Sequence, residues 1–475
     1  MRDGRVFISG DWVPGATTCP VFDKYTRQQV AQYGAADKLQ TETAIQAARR
    51  AFDKESIHPY RRYEILMEVS YALERRQQQI VEALISETGF TRRDATNDFA
   101  RSIQTVTQSA EEAKRIVGEM VPIQGAPMQH EDRIAFTIRK PIGVVCAITP
   151  FNSPLNTVTH KIAPALAAGN SVVLKPSTYT PICAEILCEI FNESGLPAGF
   201  LNLINGAGDT VGRWLLESSD IDYFTFTGST RVGKIVQQAA GLRRTQLELG
   251  NISSTIICDD ASLETAADKC VAAGFRKAGQ VCTSVQRILV DEKVVEAFVD
   301  LLVQRTSNLK VGDPREENTV VGPMIDEKEA RRAEQWIDEA ITAGASPLTQ
   351  PRRKGALLWP TILNNVNGEM RVVCEEIFAP VLSILPVSGL DQAIDIANNT
   401  PFGLASGLFT NDVNRALKAI GKLRMGNVHI NDTSSSRVDL APYGGLKDSG
   451  FGREGPRYAI HDMTEERLIT LNPIS

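Results

Sequence analysis

The chain lacks most of what would tie it to a membrane, a metal or an oxidising compartment. No uncharged apolar run is long enough to span a bilayer, and the opening MRDGRVFISGDW has no apolar core of a signal peptide, so a cytoplasmic protein is expected. The eight cysteines show no CxxC spacing and the five histidines form no cluster with them, so neither a disulfide framework nor a bound metal is expected. There is no long Lys/Arg block, and a net charge of -6 argues against nucleic acid as a partner. What remains is an ordinary globular composition, 43% hydrophobic and 23% charged. Its 475 residues exceed what a single core sustains, which predicts two or three domains.

Hydrophobic periodicity divides the chain. Apolar residues at spacings of three and four predict helix through 38–117, punctuated by Gly89 and Gly118. A Pro- and Gly-containing stretch leads into the alternating RIAFTIRKPIG, an extended arm or hairpin between larger units. Strands then alternate with helices: 144–148, 171–174, 201–204 and 221–226 as strands, 156–168, 181–194 and 232–240 as helices. A second alternating series occupies 255–440, with a helix predicted over 263–278, and the final MTEERLITLN is strand-like and suited to pair with the arm. The fold class is α/β, with parallel sheets that take ligands beyond the carboxyl ends of their strands.

Several motifs close these strands. Cys282 lies in the polar turn GQVCTS, while most other cysteines lie in apolar runs or on helical faces. A thiol in a turn can meet a substrate, and Glu248, at the end of the strand-like TQLELG, is a candidate base or simply an exposed carboxylate. Asn152 in TPFN offers an amide to a developing oxyanion or caps a turn. FTGST, residues 226–230, ends a strand and opens a helix that Ser229 can cap; it is an anion-binding helix start or an ordinary βα turn. NGAGDTVG, containing Gly208, is a second Gly-rich turn without the full GxGxxG spacing. Lys175 in KPST is a cofactor contact or a solvated strand end, and EEIFAP sets Glu376 near Phe378 as a polar and stacking pair or a solvated acidic segment.

Together TPFN, KPST, FTGST, LELG, GQVCTS, EEIFAP and PYGGLKDSGFGREG resemble, in order and spacing, the aldehyde dehydrogenase superfamily over essentially the whole chain. The resemblance implies a Rossmann-like cofactor domain (1–117 and 141–247), a catalytic α/β domain (248–445) and a β-hairpin oligomerisation arm (118–140 with 446–475), hence a homodimer or homotetramer. It implies NAD or NADP as cofactor and no metal. Carried over by position, Cys282 is the nucleophile, Glu248 the general base, and Asn152 with the Cys282 backbone N–H the oxyanion hole. The implied cofactor contacts are Thr149, Pro150, Phe151, Lys175, Ser177, Thr178, Gly208, Phe226, Thr227, Gly228, Ser229, Val232, Leu249, Gly250, Glu376 and Phe378. The implied reaction passes through a thiohemiacetal and a thioester that water hydrolyses. The alternatives are a coenzyme-A-acylating semialdehyde dehydrogenase, which Glu248 opposes, and a catalytically silent relative kept for binding or structure.

Three departures from the family pattern stand out. Asn251 replaces the second glycine of ELGG, and asparagine suits the left-handed backbone expected there. Phe151 replaces a tryptophan, and Thr178 replaces the glutamate of strict NAD enzymes, which leaves NADP admissible. For substrate contacts the resemblance points to Phe151, His160, Val281, Thr283 and Arg437, and to a small oxygenated or anionic aldehyde; the other readings are a locally satisfied helix histidine for His160 and a loop salt bridge for Arg437.

Overall fold

Runs such as VVCAI, SVVLK and YFTFT are apolar or β-branched almost without alternation, which suits strands covered by helices on both faces. The computed structural model describes residues 4–127 and 132–472. Residues 1–3, 128–131 and 473–475, which fall within the expected first unit and arm, lie outside the described residues.

The first sheet has eight strands in the order Asp11–Pro14, Arg5–Ile8, Leu201–Leu203, Ser171–Lys175, Val144–Ile148, Tyr223–Thr227, Arg244–Glu248, Gly450–Phe451. From Val144–Ile148 the chain winds outward through Ser171–Lys175 and Leu201–Leu203, then returns to the opposite side as Tyr223–Thr227. Val144–Ile148 is therefore flanked by the switch in strand order, and a ligand crevice opens at the carboxyl ends there. Register sets those ends level: Ile148 opposes Lys175 and Phe226, and Thr227 opposes Glu248.

The second sheet has seven strands, Ser346–Pro347, Thr361–Asn364, Val381–Val387, Arg287–Asp291, Ser254–Ile257, Ala405–Phe409 and Asn427–Ile430. A separate three-stranded sheet joins Met120–Val121, Ile134–Pro141 and Thr464–Leu471, the last pairing with the second from Thr464↔Pro141 to Leu471↔Ile134. The segment from 446 onward does not all belong to it. Gly450–Phe451 extends the first sheet beside Leu247 and Glu248, and helix Pro456–Asp462 packs on helix Asn156–Ala168.

The long helical stretch resolves into Lys38–Lys54, Pro59–Arg75, Gln77–Thr88 and Arg92–Ala113. Its breaks have local causes: a capping box of Asp37 and Gln40, Pro59 at a first helical position, left-handed Gly89, and the Thr91 cap. The helix predicted over 263–278 stops at Phe275. Lys277, Ala278 and Gly279 take φ of 51°, 53° and 71°, a left-handed run that turns the chain toward Cys282. For the two non-glycine residues such a backbone costs roughly 1–2 kcal/mol each, so neighbours must hold it.

Candidate active site

Those neighbours are distant in sequence. Lys277 Nζ donates to Asp98 Oδ1 at 2.9 Å and to the Asn152 carbonyl at 3.0 Å, while its backbone N–H donates to Asp94 Oδ2 at 3.2 Å. Its ammonium also lies 4.2 Å from the Phe90 ring centroid. Gln280 is fixed on the other side, its Nε2 donating to the Lys277 carbonyl and its Oε1 accepting from Ile325 N. At Gly279 a Cβ would stand 2.1 Å from the Ala379 carbonyl oxygen, so only glycine fits. This clamp sets Cys282 opposite Asn152, whose Nδ2 donates to the Gln280 carbonyl at 2.9 Å and keeps a second N–H for another acceptor.

Glu248 ends its strand as a buried carboxylate. Tyr443 joins it to the thiol: the phenol oxygen is 3.2 Å from Cys282 Sγ and donates to Glu248 Oε1 at 3.4 Å. With Tyr443 donating to the carboxylate, the S–H donates to the phenol oxygen, and a proton has a continuous path from Cys282 to Glu248. Burial and the nearby Glu248 charge push the Cys282 thiol well above its ordinary pKa, so the resting group is a thiol. Burial and the Glu454 carboxylate raise Glu248 to about 7, a value suited to a base working near neutrality. Tyr443 was absent from the sequence-based candidates; it sits in PYGG, inside a recognised motif, but nothing local marks its hydroxyl as functional.

A cavity of about 870 Å³ opens at the crevice and reaches Cys282, Glu248 and Asn152 at its inner end. Every residue expected to touch the cofactor lines it, along with Tyr179, Arg213, Arg231 and Arg332. Its polar groups suit a dinucleotide. Among the described residues the buried Thr149 hydroxyl has no hydrogen-bond partner and the buried Lys175 ammonium donates only to the Pro176 carbonyl at 3.2 Å, burial lowering its pKa to about 8. Ser229 caps helix Thr230–Ala240, and Gly208 has open space where a side chain would stand. Phe378 holds a left-handed φ of 50° and meets Phe151 edge-on at 6.1 Å. These residues would hold the nicotinamide cofactor.

The ELGN turn differs from expectation. Asn251 is absent from the left-handed residues; its N–H donates to Glu376 Oε1 at 3.0 Å and its Nδ2 to Ser253 Oγ at 2.7 Å. The close approach falls on Gly250, where a Cβ would lie 2.7 Å from Glu376 Oε2. Burial raises the Glu376 pKa to about 7.

The substrate candidates separate. Phe151 lines the cavity, and Val281 borders a void of about 10 Å³ beside Cys282 with Asn251 and Phe378. Buried Thr283 has its hydroxyl 3.4 Å from Ser435 Oγ. His160 and Arg437 are not cavity residues. His160 is 1% exposed with Nε2 2.8 Å from Asp439 Oδ1, and Arg437 donates to Glu454 Oε2 at 2.7 Å while lying 3.9 Å above the Tyr443 ring. Both belong to a charged layer behind Tyr443. Arg101 binds Asp439 through Nε and Nη2 at 2.8 and 2.7 Å, and the buried Lys161 ammonium meets Glu454 at 3.2 Å. Asp439 meets His160 and Glu454 meets Arg437, the locally satisfied histidine and the loop salt bridge that the sequence also allows.

A thiol, an amide and a carboxylate at the inner end of a dinucleotide-shaped crevice are the equipment of aldehyde oxidation. The Aldehyde dehydrogenase family model matches residues 12–469. This chain belongs to that family. It is 48% identical over 472 residues to the 3-sulfolactaldehyde dehydrogenase of Priestia aryabhattai, covering 99% of this chain and 98% of that one. It is 35% identical to the lactaldehyde dehydrogenase of Methanococcus maripaludis, covering 99% and 100%. Among solved structures, the NADP-dependent glyceraldehyde-3-phosphate dehydrogenase of Bacillus halodurans, complexed with NADP, superposes with a TM-score of 0.97 at 33% identity, covering 99% and 100%. The protein is an NAD(P)-dependent aldehyde dehydrogenase with that family's fold. No helix among the described residues is long and apolar enough to cross a membrane.

Proposed function

We propose that the protein oxidises a small hydroxylated or anionic aldehyde, of the kind named for its sulfolactaldehyde and lactaldehyde relatives, to the carboxylic acid by way of Cys282. The observation that carries this reading is the hydrogen-bonded series Cys282, Tyr443, Glu248 at the inner end of the crevice, facing the Asn152 amide.

Cys282 passes its proton through Tyr443 to Glu248 as Sγ adds to the carbonyl carbon. The free Asn152 N–H and the Cys282 backbone N–H receive the charge that develops on the oxygen. A nicotinamide cofactor, when bound, supplies the acceptor for the hydride. The acyl group remains on Sγ as a thioester. Glu248, once its proton has gone to solvent, takes a proton from water, whose oxygen attacks the thioester and releases the acid and the thiol. A buried carboxylate beside the thiol favours water over coenzyme A as the acyl acceptor.

A homo-oligomer is part of the same proposal. Exposed Met120, Ile134 and Leu471 share one face of the three-stranded sheet and offer an apolar surface to a second copy, and sedimentation of the purified chain reads the assembly. The function is tested with an aldehyde panel against NAD and NADP, following reduced nicotinamide, with Cys282→Ser as control. Full turnover by that variant would remove Cys282 from the reaction.

A further inference from the structure

Asn251, the departure from ELGG, is 2% exposed and sits just beyond the base, where strand Arg244–Glu248 gives way to Ser254–Ile257. Its side chain is engaged at both ends, yet no step of the reaction uses it. Its Oδ1 accepts the Leu404 N–H at 3.4 Å and its Nδ2 donates to Ser253 Oγ at 2.7 Å, while its backbone N–H holds Glu376. The amide takes this orientation because, turned over, it would set its own N–H against that of Leu404.

Ser253, 1% exposed, passes the contact on. A hydroxyl carries one proton, and with Asn251 as donor that proton is left for another acceptor. The Cys282 carbonyl takes it at 3.4 Å. On the other side of the nucleophile the Gln280 carbonyl accepts from the Asn152 amide at 2.9 Å. Cys282 and its N–H therefore lie between two fastened carbonyls, one held from the Asn152 loop and one from Asn251. Glycine at position 251 would free the Ser253 hydroxyl to turn away and would enlarge the void of about 10 Å³ that Asn251, Val281, Cys282 and Phe378 border. Tyr443 is not among the walls of that void, so Asn251 acts on the nucleophile from a side that the phenol does not cover.

We propose that Asn251 is a positioning residue for the nucleophile: through the Ser253 hydroxyl it fixes the Cys282 carbonyl, and with it the direction of the Cys282 backbone N–H. Addition to a carbonyl needs that N–H aimed at the developing oxyanion while Sγ meets the carbon, so a small rotation of the peptide weakens one contact without removing the thiol. The N–H of the same residue holds Glu376, a carboxylate in the wall of the cofactor cavity, so the cofactor's seat and the nucleophile's peptide share one anchor. The inference rests on the proposed aldehyde oxidation through Cys282 and adds to it a residue that acts only through another.

The test uses Asn251→Gly, Ser253→Ala and the double variant. Each single change is expected to slow the first-turnover burst of reduced cofactor roughly 5- to 10-fold, the scale of one lost hydrogen bond. KM for NAD and NADP should hardly move in Asn251→Gly, because glycine keeps the N–H that binds Glu376. The double variant should be no slower than the slower single, since both changes break one series of contacts. Alkylation of Cys282 by iodoacetamide places no charge on a carbonyl oxygen and should proceed at nearly the wild-type rate in all three. Losses that multiply in the double variant, an unchanged burst in either single, or alkylation slowed as much as the burst would overturn the proposal. A second measurement needs neither aldehyde nor cofactor: acylation of Cys282 by p-nitrophenyl acetate, read as p-nitrophenol release, should fall relative to alkylation in each variant, and an unchanged ratio counts against Asn251. If the wild type oxidises no aldehyde, the functional reading fails by itself, and the ratio of acylation to alkylation still decides the role of Asn251.

Discussion

The Tyr443 hydroxyl lies 3.2 Å from Cys282 Sγ and 3.4 Å from Glu248 Oε1, so a single phenol spans nucleophile and base. Tyr443→Phe keeps the ring beneath Arg437 and removes only the bridge. The burst of reduced cofactor in the first turnover should slow by about 100-fold, the scale of one lost proton-transfer partner. An unchanged burst would mean that the thiol loses its proton by another path.

Glu248 acts once more, on water. Glu248→Gln should slow the burst of reduced cofactor, as Tyr443→Phe does, and cut steady-state turnover by a further factor of about 100 or more, with the acyl-enzyme visible by mass spectrometry. The sign of the pH dependence follows from the raised pKa of about 7. Below it the carboxyl is protonated and cannot accept, so kcat should fall as pH drops through that value and level off above it. A flat profile from mildly acidic to mildly basic pH would exclude Glu248 as the rate-determining base.

Cofactor choice is set at the outer part of the crevice. Thr178 lines the cavity with Ser177 and Arg213, so no carboxylate at position 178 repels a 2′-phosphate. Thr178→Glu is expected to raise KM for NADP about tenfold or more, while KM for NAD stays within a small factor. Equal effects on both cofactors would show that position 178 does not meet the ribose.

Asp439 is a stability residue. Burial alone would raise its pKa, but hydrogen bonds from His160 and Arg101 hold it well below the usual carboxylate range. A depressed folded-state pKa contributes stability that is present above the unfolded value near 3.9 and lost as pH falls below it. Asp439→Asn removes the charge that faces the half-buried Arg101 and Arg437 guanidinium groups and should cost about 3–5 kcal/mol in urea unfolding at pH 7. The gap to wild type should close as pH falls through the carboxylate range.

The parallel strands were legible because a strand buried on both faces must be apolar through its middle, and Val144–Ile148, Ser171–Lys175 and Arg287–Asp291 carry the unbroken apolar runs VVCAI, VVL and ILV. The strand-end motifs were legible for a related reason, since each marks a carboxyl end facing the crevice. The left-handed run at Lys277 and Ala278 was not: lysine and alanine favour continued helix locally, and contacts from Asp94, Asp98 and Asn152 override them. Tyr443 reaches Glu248 across 195 residues, a pairing that no local pattern encodes. His160 and Arg437 resembled substrate contacts because sequence shows a charge but not whether a carboxylate answers it. Asp439 and Glu454 do.

The turn that presents Cys282 is pinned by the Asp98 carboxylate of the helical region, the Asn152 carbonyl beyond the first sheet and the Ile325 backbone N–H. Its shape is thus a property of the assembled molecule and not of its own dozen residues. During synthesis the chain carries the nucleophile as an ordinary, unpositioned cysteine, and thiol addition becomes productive only after the separate sheets have docked. Catalytic competence therefore requires the assembled molecule, which makes first-turnover amplitude in refolding experiments a count of completed molecules.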